Sequence, residues 1–133
     1  MKLLEVEGIG EAYAVKLKAA GVGSTEALLK AGATPKGRKE LADKSGIGDK
    51  LILEWVNHVD LFRIRGVASE YADLLEAAGV DTVVELAQRA PASLYSKMVE
   101  ANKSKKLVRK LPTEKQVADW VAQAKKLPRA VSY

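Results

Sequence analysis

The chain has 133 residues, 47% of them hydrophobic, no cysteine, a formal net charge of +5 and a pI of about 9.4. That is enough apolar material for one compact domain or two small halves, and the absence of thiols excludes a disulfide framework and a thiolate metal centre. The basic balance favours acidic partners such as nucleic acid.

The start, Met1-Lys2-Leu3-Leu4-Glu5, puts an acid where a signal peptide needs its apolar stretch. No apolar run approaches the length of a bilayer span, so the expectation is a cytoplasmic protein with no membrane partner. Residues 1–60 hold nine Lys/Arg and nine Asp/Glu, whereas residues 61–133 hold thirteen and eight. The whole excess therefore lies in the second half, around Lys97, Lys103, Lys105, Lys106, Arg109 and Lys110.

After Gly10, the spacing of Tyr13, Ala14, Leu17 and Ala20 predicts a helix that Gly21 stops. Ser24 is placed to cap a second helix through Ala27, Leu28 and Ala31, and Thr34-Pro35 opens a third through Leu41. A fourth carries Leu51, Ile52, Trp55, Val56 and Val59 on one face.

The chain then repeats itself. Gly8-Ile9-Gly10-Glu11-Ala12-Tyr13-Ala14, with Leu17 and Ala19-Ala20-Gly21-Val22, returns as Gly66-Val67-Ala68-Ser69-Glu70-Tyr71-Ala72, with Leu75 and Ala77-Ala78-Gly79-Val80, 58 residues on. Glu54-Trp55-Val56 returns as Asp119-Trp120-Val121 65 residues on, so the second copy carries a seven-residue insertion. The basic stretch Asn102-Lys103-Ser104-Lys105-Lys106 is its expected place. In this copy Ser69 opens the first helix and Thr82 with Glu85 forms a capping box. A helix follows around Leu94, Met98 and Val99, and Thr113 with Gln116 caps a last one through Val117, Trp120, Val121 and Ala124, ended by Pro128. No stretch alternates with a two-residue period, so no strand is expected. The predicted fold is all-α, two diverged four-helix units, 1–60 and 61–133.

The segment from Val6 to Leu17, with Gly8-Ile9-Gly10 and Ala14, resembles the helix-hairpin-helix motif. From about Val6 to Leu127 the chain resembles a bacterial family of tandem helix-hairpin-helix domains of unknown function. The resemblance implies a SAM-like subdomain in each unit and sequence-nonspecific DNA binding, in which paired hairpins present backbone amides to phosphates across the minor groove. Free N–H groups and the positive end of a helix dipole attract the anion, and glycine lets it approach.

The four hairpins are unequal. Gly8-Ile9-Gly10 fits the motif best but is ringed by Glu5, Glu7 and Glu11, which repel phosphate. Gly46-Ile47-Gly48 keeps both glycines beside Lys44 and Lys50, although Lys44 and Ile52 depart from the motif. The third, around Gly66, has Ala68 for the second glycine and gains Arg63 and Arg65. At Leu111-Pro112-Thr113 the glycines are gone and Pro112 has no N–H to offer.

The candidate nucleic-acid contacts are therefore Gly8, Ile9, Gly10, Gly46, Ile47, Gly48, Lys50, Arg63, Arg65, Gly66, Lys103, Lys105, Lys106, Arg109 and Lys110. The alternative for the hairpins is that they are only tight turns between packed helices, which suits a protein-interaction adaptor with an unidentified protein partner. The glutamates around the first hairpin favour that alternative.

No catalytic residue, cofactor, metal or small-molecule substrate is expected. Gly32-Ala33-Thr34-Pro35-Lys36-Gly37-Arg38-Lys39 nearly spells a P-loop, but it lacks the Lys-Ser/Thr pair and a preceding strand. His58, the single histidine, sits near a helix end, where capping carbonyls is its ordinary role. No counterpart of the catalytic Asp or Lys of helix-hairpin-helix glycosylases is recognisable, and Asn102-Lys103-Ser104 means nothing without secretion. Trp55 and Trp120, on the apolar faces of equivalent helices, are read as core rather than base-stacking residues.

Overall fold

Each expected helix is present in the computed structural model, which describes residues Met1–Tyr133. A short 3-10 turn, Leu3–Glu5, comes first. It is followed by α1 (Glu11–Ala19), α2 (Thr25–Ala31), α3 (Pro35–Ser45), α4 (Asp49–Leu61), α5 (Ser69–Ala77), α6 (Val83–Ala87), α7 (Pro91–Lys105) and α8 (Glu114–Lys126). Helix accounts for 64% of the chain and there are no strands.

Local capping chemistry sets most of these boundaries. Ser24 Oγ accepts from the amide of Ala27 at 3.1 Å and Thr34 Oγ1 from that of Gly37 at 3.0 Å. Thr113 and Gln116 form a reciprocal box, Gln116 N to Thr113 Oγ1 at 3.1 Å and Thr113 N to Gln116 Oε1 at 2.8 Å. Thr82 makes only half of its expected box. Its Oγ1 accepts from Glu85 N at 3.3 Å, but the Glu85 carboxylate accepts from Asp81 N at 3.2 Å, one residue too early. Ser69 is the first helical residue rather than the cap, a position held by Ala68.

The chain divides into two compact units, Met1–Asp60 with Ala130–Tyr133, and Leu61–Arg129. In the first, Leu17, Leu28, Ile52 and Val56 are fully buried, and Trp55 and Val59 nearly so; Leu51 is only half-buried. The P-loop look-alike is a tight corner between α2 and α3. A Cβ on Gly32 would collide with Val56, and one on Gly37 with the carbonyl of Ala31. Close packing therefore accounts for both glycines.

The C-terminal residues Ala130–Tyr133, expected in the second unit, belong to the first. Ser132 N donates to the Ala33 carbonyl at 2.8 Å, and Arg38 donates to the Ser132 carbonyl at 2.8 Å.

The second unit packs Leu74, Leu75, Leu86, Leu94, Met98, Val117 and Trp120 into one cluster. Its basic stretch is helical as far as Lys105. Lys103 and Lys105 form the last turn of α7, which has 15 residues where α3 has 11, while α6 has 5 where α2 has 7. The remaining extra length lies in the connection 107–113. Lysines suit the negative end of a helix dipole, so the helix runs through them. It ends at Lys106, which takes the left-handed conformation (φ 50°) that Gly46 (φ 74°) takes at the end of α3.

Candidate nucleic-acid interface

Two turns repeat bond for bond. In the first, Val6 N donates to Leu3 O and Ile9 N to Val6 O, each at 3.1 Å, and Ala14 N reaches Gly10 O at 2.9 Å. In the other, Ile64 N donates to Leu61 O and Val67 N to Ile64 O at 3.1 Å, and Ala72 N reaches Ala68 O at 2.9 Å. Gly8 (φ 92°) and Gly66 (φ 96°) sit at the left-handed corner of each. A Cβ there would also lie 3.2 Å from the Trp55 indole nitrogen and 3.0 Å from that of Trp120. Backbone conformation and tryptophan packing thus explain both glycines without any ligand.

The tryptophans are core, each 2% exposed. Tyr13 packs edge-on against Trp55 with centroids 5.0 Å apart, and Tyr71 against Trp120 at 5.3 Å. Each tryptophan lies six residues, about 9 Å, along its helix from the N-terminus. Ile9 and Ile47, included among the candidate contacts, are 3% and 4% exposed. Their side chains anchor the turns and face no solvent.

Gly46 closes α3, where Ser45 Oγ donates to Leu41 O at 2.7 Å and accepts from Ile47 N at 3.2 Å. Ile52 N then reaches Gly48 O at 3.1 Å as α4 begins. Gly10 and Gly48 differ from Gly8, Gly46 and Gly66. Neither has a positive φ, and a Cβ on either would meet nothing within 4 Å. The fold does not require them to be glycine.

Gly10 leaves a helix start without a side-chain cap. The helices α2, α3, α6 and α8 each have a Ser or Thr whose oxygen accepts from one first-turn amide. The N-caps of α1 and α5 are Gly10 and Ala68, neither with a polar side chain. First-turn amides have no partner within their own helix, so these starts are open to an external acceptor.

Charge separates the sites. Glu5, Glu7 and Glu11 are all exposed around the first turn; Glu5 also accepts from Lys2 N at 2.9 Å. At the second, exposed Lys44 and Lys50 are offset by exposed Asp43 and Asp49.

The second unit has the larger excess of exposed cations, although exposed Glu70 stands in the first turn of α5. Arg65 is exposed, with its backbone pinned by Gln123: Arg65 N donates to Gln123 Oε1 at 2.8 Å and Gln123 Nε2 to Arg65 O at 3.1 Å. Arg63 is partly committed, its Nη2 donating to the Pro128 carbonyl at 2.6 Å. Lys97, Lys103, Lys105, Lys106, Arg109 and Lys110 are all exposed.

Two side chains that sequence reasoning missed organise this surface. Asn102 clamps Val108, donating to its carbonyl at 3.2 Å and accepting from its amide at 3.0 Å. Tyr71, in the first turn of α5, donates to the Lys110 carbonyl at 3.1 Å. The backbone of Lys110 is therefore tied to a side chain from the first turn of α5. The signals available were the repeat of Tyr13 as Tyr71 and an amide residue ahead of a non-helical stretch; neither names its distant partner.

What fold and site define is an all-helical protein with two glycine turns whose helices lack a side-chain cap and a second unit carrying exposed lysines and arginines. Residues 7–127 match the family described as Domain of unknown function (DUF4332), and the chain belongs to that family. No curated protein and no solved structure matches it. No helix is long and apolar enough to cross a membrane.

Proposed function

We propose that this chain is a non-catalytic, sequence-nonspecific DNA-binding protein of the cytoplasm, each unit a tandem helix-hairpin-helix subdomain. Phosphates would be held by the hairpin amides after Gly10, Gly48 and Ala68, with charge supplied by Lys50, Arg65, Lys103, Lys105, Lys106, Arg109 and Lys110. The observation that carries this reading is the Tyr71–Lys110 bond, which ties the backbone of a basic residue to the first turn of a helix with no side-chain cap. Contacts of this kind position a protein on the backbone and carry no sequence information.

Gly10 and Gly48 give the cleanest test, because a Cβ on either meets no neighbour within 4 Å. Gly10→Val and Gly48→Val are expected to keep the helical circular dichroism and weaken duplex binding. The salt slope should stay unchanged, since no charge is removed. Unaltered affinity in both variants would remove the amides from the mechanism.

A second reading, a protein-interaction adaptor, is favoured by exposed Glu5, Glu7 and Glu11 at the best-formed glycine turn and by Leu4 and Val15, 55% and 65% exposed on the same unit. It expects no DNA affinity even at low salt.

A further inference from the structure

Arg38 is 6% exposed, and its partners are all neutral. Its Nη1 donates to the Gly32 carbonyl at 2.8 Å and its Nη2 to the Ser132 carbonyl at 2.8 Å, and the ring of Tyr133 lies 5.9 Å from its Cζ. A buried guanidinium is tolerated when its donors are filled. Here one of the acceptors comes from a four-residue, non-helical segment far along the chain.

That segment is held as a ligand peptide would be. Ser132 N donates to the Ala33 carbonyl at 2.8 Å, with Ser132 Oγ on the same oxygen at 3.3 Å. Val131 is 2% exposed, and Tyr133 donates its hydroxyl to Asn57 Oδ1 at 2.9 Å. Main-chain bonds on Ser132 and an apolar seat for Val131 are the elements of peptide recognition, in which the backbone gives affinity and the pocket gives specificity, while Tyr133, 63% exposed, is held by its hydroxyl alone. The receiving residues, Gly32, Ala33, Arg38 and Asn57, come from the α2–α3 corner and α4. Pro128 and Arg129, which lead to the segment, are exposed.

We propose that the α2–α3 corner of the first unit is a peptide-binding groove. Its ligand is a short segment of a partner protein with an aliphatic, a small polar and an aromatic residue in succession, and residues 130–133 fill it in cis. A tethered occupant competes at an effective concentration in the millimolar range, so the groove is closed until the tail is displaced. This site is separate from the phosphate contacts proposed above and stands or falls without them.

The test uses the full-length chain and a fluorescent peptide of residues 127–133, followed by anisotropy. Val131→Asp should expel the tail, and Ser132→Pro should do so by removing the donor to Ala33 without burying a charge. Both variants are expected to keep helical circular dichroism and to bind the peptide at least about tenfold more tightly than the unsubstituted chain. Adding Arg38→Gln, or using a peptide that itself carries Val131→Asp, should abolish the gain. The proposal is overturned if the released chains bind no better than the unsubstituted one, or if Arg38→Gln binds equally well. Loss of helical structure in both release variants would overturn it too, by making residues 130–133 part of the fold rather than an occupant.

Discussion

The hydroxyl of Tyr71 donates to the carbonyl of Lys110 at 3.1 Å, fastening the basic connection after α7 to the first turn of α5. A net hydrogen bond of this kind is worth about 1 kcal/mol or less, so Tyr71→Phe should fold normally. It should nevertheless free Arg109 and Lys110 from the helix start. The expected outcome is a few-fold loss of duplex affinity with the salt slope intact, measured by anisotropy. An unchanged affinity would mean that holding Lys110 in place does not matter for binding.

Trp55 and Trp120 each pack under a glycine corner and beside a tyrosine. Replacing either by alanine should cost about 3–5 kcal/mol in chemical denaturation, as for a large core residue. Stacking on nucleic acid would instead show as lost DNA binding at an unchanged melting temperature.

Glycine replacements should not all have the same sign. In an exposed helix Gly→Ala usually helps by up to about 1 kcal/mol, but Gly37→Ala would drive a methyl into the Ala31 carbonyl and should destabilise by about 1–3 kcal/mol. Lys106→Gly relieves the one non-glycine residue at positive φ, and should stabilise by about 0.5–1 kcal/mol. Denaturant melts of the two variants check both signs.

Burial, together with the neighbouring carboxylates of Glu85 and Glu76, raises the pKa of Asp81. With the folded value above the unfolded one, the native state binds the proton more tightly. That contribution is greatest with Asp81 protonated, and it is lost as pH rises from the ordinary aspartate range through the raised value. Asp81→Asn should flatten this part of the stability profile and raise the melting temperature at neutral pH. A profile identical to that of the parent chain would contradict the assignment.

Much of the helical pattern could be read from local chemistry. Ser24, Thr34 and Thr113 announce their helices because a cap and its amide are three residues apart, and the faces of α4 and α8 show in the spacing around Trp55 and Trp120. The 3-10 turn at Leu3–Glu5 is too short to leave a period. Of the candidate site, the glycine turns were visible, but not that Gly8 and Gly66 answer to tryptophans. Contacts such as Tyr71–Lys110, Arg38–Ser132 and Asn57–Tyr133 join residues 39, 94 and 76 apart, and no local pattern encodes them.

The most direct test is duplex affinity as a function of salt, between about 50 and 200 mM, for the parent chain and for one with Lys105, Lys106, Arg109 and Lys110 all replaced by glutamine. Phosphate binding predicts that log affinity falls linearly with log salt, by about 0.9 for each phosphate neutralised. The quadruple variant should show a flatter line at unchanged helical content, because exposed charges add little to stability. If neither single- nor double-stranded DNA binds the parent chain at about 50 mM salt, DNA is not its partner.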